Sequence, residues 1–504
     1  MNWKQVLQQA MVVTLVMLLL AGCGSAIPTS VVEVPAPTPE PPAPTPPSAP
    51  PTPGSIPKSG ASGLGDSLYP GFGNGGYDVQ HYRLDLAVSD VGASTLNGVT
   101  TIEAKATQDL SAFNLDFIGF TIAGITVDGQ PAEFSRSGQE LTITPATPLA
   151  ANELFTVEVT YNGAPEAIES VAIPVPTGWV NFGRGSFVLS EPDGAANYYP
   201  VNDHPLDKAT YTFRVTVPKP FAVAANGVLA DTIDHGDSTT FVWEARDPMA
   251  SYLTTVNISE FEVETEEGPN GIPIRNYYAV GLDAAIRAPF ARQAEMLAFF
   301  GEIFGPYPFE VYGSVVMNTE VGTALEAQTM AIFGVDMINL EDISSAERII
   351  AHEVAHQWIG NSVSLADWSD IWLNESFAAY AEGLWVEHTE GREALDAWVR
   401  DRYEHVVESR EKMTPPGKPA ADSLFNDGVY AWGALGLHAL RIEVGDKAFF
   451  AILRTYFGRF EGGNVRTADF IAVAEEVSGQ ELGAFFDSWL YSEEIAPMPA
   501  LGLK

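Results

Sequence analysis

Residues 352–356 read His352, Glu353, Val354, Ala355 and His356. Imidazoles four positions apart project from one face of a helix, so both can reach a single ion. Ile349, Ile350 and Trp358 flank them and supply the apolar character of a buried helix. Catalytic zinc takes three protein ligands and keeps one position for water. Glu353 follows the first histidine, beside that open position, where a carboxylate can take a proton from the water. Two structural histidines on an apolar helix would have the same spacing, so the third ligand decides. Eighteen residues separate His356 from Glu375, which lies in a second segment of helical spacing, 372–380. Two helices then deliver a His₂Glu set, one of the known catalytic zinc compositions.

The run His352-Glu353-Val354-Ala355-His356-Gln357-Trp358-Ile359-Gly360-Asn361, continued by Trp368, Asp370, Trp372, Leu373, Asn374 and Glu375, resembles the M1 family of metallo-aminopeptidases. The resemblance covers roughly residues 77–495. It implies an N-terminal saddle-like β-domain and a thermolysin-like catalytic domain. It also implies zinc bound by His352, His356 and Glu375, with Glu353 as general base.

An exopeptidase must recognise a free α-amine, a cation at neutral pH, and so needs carboxylates near the metal that are not ligands. Glu326, in Thr323-Ala324-Leu325-Glu326-Ala327, falls where the family has Gly-Ala-Met-Glu-Asn, an edge strand that pairs with the substrate backbone. The first, third and fifth positions differ from that pattern. Glu191, followed by Pro192, matches the second family glutamate and would bring the β-domain into the active site. Downstream of it Val201 replaces the family's cysteine and His204 its second acid. Tyr430 resembles the family's catalytic tyrosine, a donor to the oxyanion that forms as water attacks, although Trp432 replaces the expected lysine. Asp370, Asn374 and Glu382 are candidates to orient the ligand histidines. His81, His204, His235, His388, His405 and His438 have no partner at ligand spacing and read as structural or exposed.

The elements that position these residues follow from periodicity. Segments 82–88, 155–159 and 211–217 alternate with period two and are rich in β-branched and aromatic residues, so they read as strands. Asp128-Gly129 and Asn226-Gly227 are hairpin signals between such strands. From about residue 283 the spacing becomes helical over 284–300, 346–360, 373–388, 430–444 and 467–478, with a strand at 311–317. The fold class is therefore α+β multidomain: an antiparallel, sandwich-like β-domain over 69–264, then a mostly helical peptidase domain over 265–504. The chain ends at Lys504, soon after Tyr430, whereas many family members carry a further helical domain. On that basis the resemblance implies an open cleft that admits longer peptides.

Ahead of the β-domain, residues 10–21 form an apolar run broken only by Thr14, too short to cross a bilayer and of signal-peptide length. It ends Leu20-Ala21-Gly22-Cys23, which resembles a bacterial lipobox and implies lipidation at Cys23, the chain's one cysteine. Residues 1–23 thus read as a lipoprotein signal peptide. Residues 24–68 read as a Pro/Gly/Ser-rich disordered linker, with 13 of the 36 prolines between positions 28 and 57. The expected location is extracytoplasmic, with a membrane contact through the lipid. A formal charge of −39 disfavours nucleic acid as a partner. The function expected is removal of N-terminal residues from peptides with free N-termini, with one zinc per chain. A zinc endopeptidase and a non-catalytic surface-anchored binding protein remain as alternatives.

Overall fold

The structure, a computed structural model, describes residues 57–170 and 172–504; the signal segment, Cys23 and the chain to residue 56 lie outside the described residues. Strand Tyr77–Asp90 buries Tyr77, Val79, Tyr82, Leu84, Leu86 and Val88. The alternation slips by one residue after Val79, where a bulge at His81 absorbs the extra position. This strand lies inside an eight-stranded sheet. Its pairings are antiparallel except one: Ala209–Pro218 runs parallel to Tyr77–Asp90. The wholly antiparallel expectation is corrected there. Between the two paired segments the chain lays down strands of a second sheet, and this long crossover lets Ala209–Pro218 return in the parallel sense.

That second sheet holds Ile168–Glu169, Pro176–Asn181, Ser186–Leu189, Val256–Ser259 and Ala222–Ala225. A third, four-stranded sheet begins with Lys58–Ser59, paired to Leu110–Asp116. Residues 57–68 therefore depart from the linker expectation. Their backbone is tied to the sheet by bonds from the Lys58 amide to the Asp109 carbonyl and from the Gly60 amide to the Ala112 carbonyl. Gly73 adopts φ +66°, and a Cβ there would lie 2.6 Å from His204 Cβ. Glycine in this region serves close packing, not slack.

The peptidase domain opens with a five-stranded mixed sheet in the order Phe261–Glu267, Pro273–Ala279, Tyr312–Met317, Ala331–Gly334, Ala324–Leu325. Phe261–Glu267 belongs to this sheet, so the expected boundary at residue 264 falls inside its first strand. Helices follow. Segment 284–300 is helical only in part: Ala284–Arg292 is a 3₁₀ turn containing Pro289, and the α-helix runs Gln293–Phe304. Proline cannot donate the amide that an α-turn needs. Helices Arg392–Ser409 and Asp446–Phe460 were not among the segments expected from periodicity. One apolar cluster fills the β-domain and reaches across to Trp368 and Ile371; a second fills the helical domain.

Candidate metal centre and peptide cleft

The first ligand helix, Ile343–Ala355, starts where the Asp342 carboxylate accepts from the Ser345 amide at 3.0 Å. It buries Ala346, Ile350, Ala351 and Val354, and the same face carries His352 and Glu353 inward. The helix stops at Ala355, short of the expected residue 360. Gly360, at φ +89°, turns the chain, and a Cβ there would approach the Asn374 amide and the His356 ring. His356 still sits one turn above His352. The second ligand helix, Trp372–Glu390, follows a 3₁₀ turn that Asp367 caps. Glu375 lies in its first turn, where the helix dipole favours a carboxylate.

These elements bring His352, His356 and Glu375 together. Their ligand atoms all lie within 4.8 Å of one another. His352 Nε2 is 3.0 Å from His356 Nε2 and 3.4 Å from Glu375 Oε2, and His356 Nε2 is 3.6 Å from the same oxygen. An ion held tetrahedrally at zinc–ligand distances has ligands about 3.3 Å apart. The Nδ1 atoms fix the tautomers. His352 Nδ1 donates to Glu382 Oε1 at 3.1 Å, and His356 Nδ1 donates to the Ile359 carbonyl at 3.1 Å. Both Nε2 atoms are then lone-pair atoms facing each other, which no neutral hydrogen bond can join and a cation can. The donor set fits zinc.

Among the three candidates to orient the histidines, Glu382 is the one in contact. It is itself held by Arg402 at 3.0 Å. Asn374 instead donates to the Tyr252 hydroxyl, and Asp370 accepts from Thr467. Glu353 is buried, and its Oε2 has no hydrogen-bond partner. Burial raises its carboxyl to about 8 against the pull of the two histidines. Glu375 is held down to about 2, since His356 and His352 outweigh its burial.

Glu191 and Glu326 stand beside this set. Carboxylate oxygens of Glu191, Glu326 and Glu375 lie within 4.8 Å of one another. Glu191 Oε1 and Glu326 Oε1 are buried without hydrogen-bond partners. Burial and then the neighbouring glutamates push Glu191 well above the usual carboxylate range. Such a cluster is stabilised by a cation that can donate to several oxygens. The Tyr430 ring centre lies 6.1 Å from that of His352. Burial and the surrounding carboxylates raise its phenol well above its usual range, so it remains a donor. Tyr430 sits in a π-turn, Gly428–Trp432, that precedes helix Gly433–Val444.

The sequence run contained two residues whose work it did not disclose. Gln357 Nε2 and Asn361 Nδ2 both donate to the Glu326 carbonyl, at 3.1 and 2.7 Å, and the Thr329 amide donates to Gln357 Oε1. They hold Ala324–Leu325, the edge strand of the mixed sheet, against the metal helix. Their place directly after the second histidine was the available signal. The cleft, about 250 Å³, is lined from both domains. Ile173, Val175, Thr177, Leu189 and Glu191 come from the β-domain, and Ile349, Met337 and Glu382 from the helical one. Thr177 and Leu189 stand on the paired strands Pro176–Asn181 and Ser186–Leu189, with Ile173, Val175 and Glu191 in the loops that flank them. Of the histidines expected to be structural or exposed, His204 is buried against Asp66 and His438 against the Tyr380 hydroxyl.

A His₂Glu centre delivered by two helices, under an edge strand and faced by a β-domain, is an arrangement able to hold a catalytic zinc. The Peptidase M1 N-terminal domain matches residues 78–253, and the Peptidase family M1 domain matches residues 289–489. An M1 zinc metallopeptidase from Deinococcus radiodurans, solved as a mutant bound to a Tyr-Ser-Ala substrate, is 33% identical. It superposes with a TM-score of 0.79 over 87% of this chain and 99% of its own. Aminopeptidase N of Streptomyces lividans is 27% identical over 82% of this chain, and aminopeptidase N of Lactococcus lactis 26% over 66%. The chain spans half or less of those two relatives, 50% and 40% of their lengths. The chain belongs to the M1 peptidase family.

Proposed function

We propose that the protein is a zinc aminopeptidase that removes the first residue from peptides with free N-termini. In this reading His352, His356 and Glu375 hold the metal. Zinc there supplies a Lewis acid for the scissile carbonyl and a water acidic enough to ionise near neutral pH. Glu353 takes the proton from the attacking water and hands it to the leaving amine. The Tyr430 hydroxyl donates to the oxygen on which negative charge develops. The edge strand Ala324–Leu325 offers its free side to the substrate backbone. Glu191 and Glu326 receive the α-ammonium group, which leaves only the first peptide bond at the metal.

One observation carries the exopeptidase reading over an endopeptidase: directly beside the metal set, buried carboxylate oxygens of Glu191 and Glu326 have no hydrogen-bond partner. A binding-only role is disfavoured by the full complement of ligands, base and tyrosine. The Tyr-Ser-Ala complex of the Deinococcus relative supports peptides as substrates. The test is a panel of aminoacyl-arylamides with and without chelator, alongside an N-acetylated peptide. Glu326→Ala should abolish most turnover of the aminoacyl reporter. Wild-type cleavage of the acetylated peptide at comparable rate would sink the reading.

The lipobox-like Leu20-Ala21-Gly22-Cys23 supports a lipid anchor at Cys23 and an extracytoplasmic location. Among the described residues no helix is long and apolar enough to cross a membrane. Fatty-acid labelling that survives Cys23→Ala would overturn the anchor.

A further inference from the structure

Composition reads residues up to 68 as a spacer, yet the part from residue 57 onward touches both domains. Asp66 is its centre, buried to 4% exposure. All four acceptor positions of its carboxylate are used. Oδ1 accepts from the amides of Leu68 and Tyr69, at 2.9 and 2.7 Å, which fixes the local turn. Oδ2 accepts from His204 of the β-domain at 3.1 Å and from the Trp368 amide of the helical domain at 2.7 Å. His204 Nδ1 accepts from the Leu206 amide, so Nε2 carries the proton and donates. Burial raises the Asp66 carboxyl, but His204 and the Trp368 and Tyr69 amides outweigh it and hold it below its usual value. Neighbouring residues repeat the link. Ser67 donates through its hydroxyl to Asp367 at 2.6 Å, and the Tyr69 hydroxyl donates to the Ala421 carbonyl at 2.7 Å.

The His204 end leads to the β-domain side of the cleft, and the Trp368 end meets a second crossing, through Tyr252 of the β-domain, to the metal side. Asp203, next to His204, accepts from the Ala196 amide at 3.2 Å, on the segment that carries Glu191. Trp368 packs edge-on against Tyr252, with ring centres 5.3 Å apart. The Tyr252 hydroxyl donates to the Gly360 carbonyl and accepts from Asn374, the neighbours of His356 and Glu375. We propose that Asp66 is a positioning residue: through His204 and Trp368 it sets the separation between Glu191 on the β-domain and the metal set on the helical domain. The inference rests on the aminopeptidase reading only for what that separation does, namely to place the substrate's amine. An asparagine at this position can accept at one atom only. Its amide group would face donors at either the turn or the bridge, so one of the two must break.

The test is a kinetic cycle on the zinc-loaded full chain with a leucyl-arylamide. Asp66→Asn should raise KM about tenfold with kcat within about threefold of wild type, since a charge-assisted bridge is lost while the metal set is kept. Zinc stoichiometry should be unchanged. In a Glu191→Ala background the same substitution should add less than about twofold, because the residue it positions is gone. A wild-type KM for folded Asp66→Asn, or a full tenfold loss in the Glu191→Ala background, would overturn the proposal. If Asp66→Asn does not fold, Ser67→Ala enters the same cycle, with about a threefold rise in KM expected. Failure of wild type to hydrolyse any aminoacyl-arylamide would instead remove the aminopeptidase reading. The cycle is then run on the affinity for L-leucine by calorimetry, where additive losses overturn the positioning role.

Discussion

At the scale of single residues, Glu353 combines two properties that rarely coexist: it is buried, and one carboxylate oxygen has no partner. A base that must receive and return a proton needs that freedom. Glu353→Gln keeps the shape and removes the base, so kcat should fall about a thousandfold with zinc still bound. Steady-state rates alongside metal analysis check this. Tyr430→Phe removes one donor to the developing charge and should lower kcat about a hundredfold with little change in KM. The convergence of His352 and His356 was legible because helical spacing alone puts them on one face. Glu382 was not separable from Asp370 and Asn374, since all three precede or share the second ligand helix. Only the ring orientation of His352 selects it. Gln357 and Asn361 stayed silent for a similar reason: their partner, the Glu326 carbonyl, lies about thirty residues upstream.

At the scale of elements, Asp367 joins the 3₁₀ turn before the second ligand helix to Ser67 and to Arg466. Burial raises its carboxyl, but the hydroxyls and amides of Ser67 and Ser369 bring it down to about 2. An unfolded aspartate titrates near about 3.9. The folded value is the lower one, so its stabilisation is complete above about pH 4 and is lost as pH falls toward about 2. Asp367→Asn should therefore lower the urea midpoint at pH 5, and the gap to wild type should close between about pH 4 and about pH 2. A gap that stays constant over that range would contradict the assignment. Long strands and the ligand helices could be read from period two and period 3.6. Helix Arg392–Ser409 buries Leu395, Trp398, Val399, Tyr403 and Val406, a helical spacing, but its dense charge masks it. Residues 57–68 were unreadable as structure, because close backbone approach and small polar residues look like a spacer until the distant partners are known.

At the scale of the molecule, the zinc ligands come from two helices packed into one apolar cluster, while Glu191 comes from the β-domain. A ligand that binds only the folded state adds stability by mass action, about 2.7 kcal/mol at a hundredfold excess over its Kd. Chelation should thus lower the thermal midpoint by a few degrees, and added zinc should restore it. Calorimetric scans of the stripped and reloaded protein test this, and an unchanged midpoint would place the metal elsewhere. The cleft's two-sided construction has one more result. The wall of Ile173, Val175, Thr177 and Leu189 stands on the β-domain, on two paired strands and the loop that leads into them. Drift in those few side chains can retune which peptide ends are trimmed while the hydrolytic apparatus is inherited intact. A chimera that takes this wall from a relative should acquire the donor's appetite and keep its own turnover.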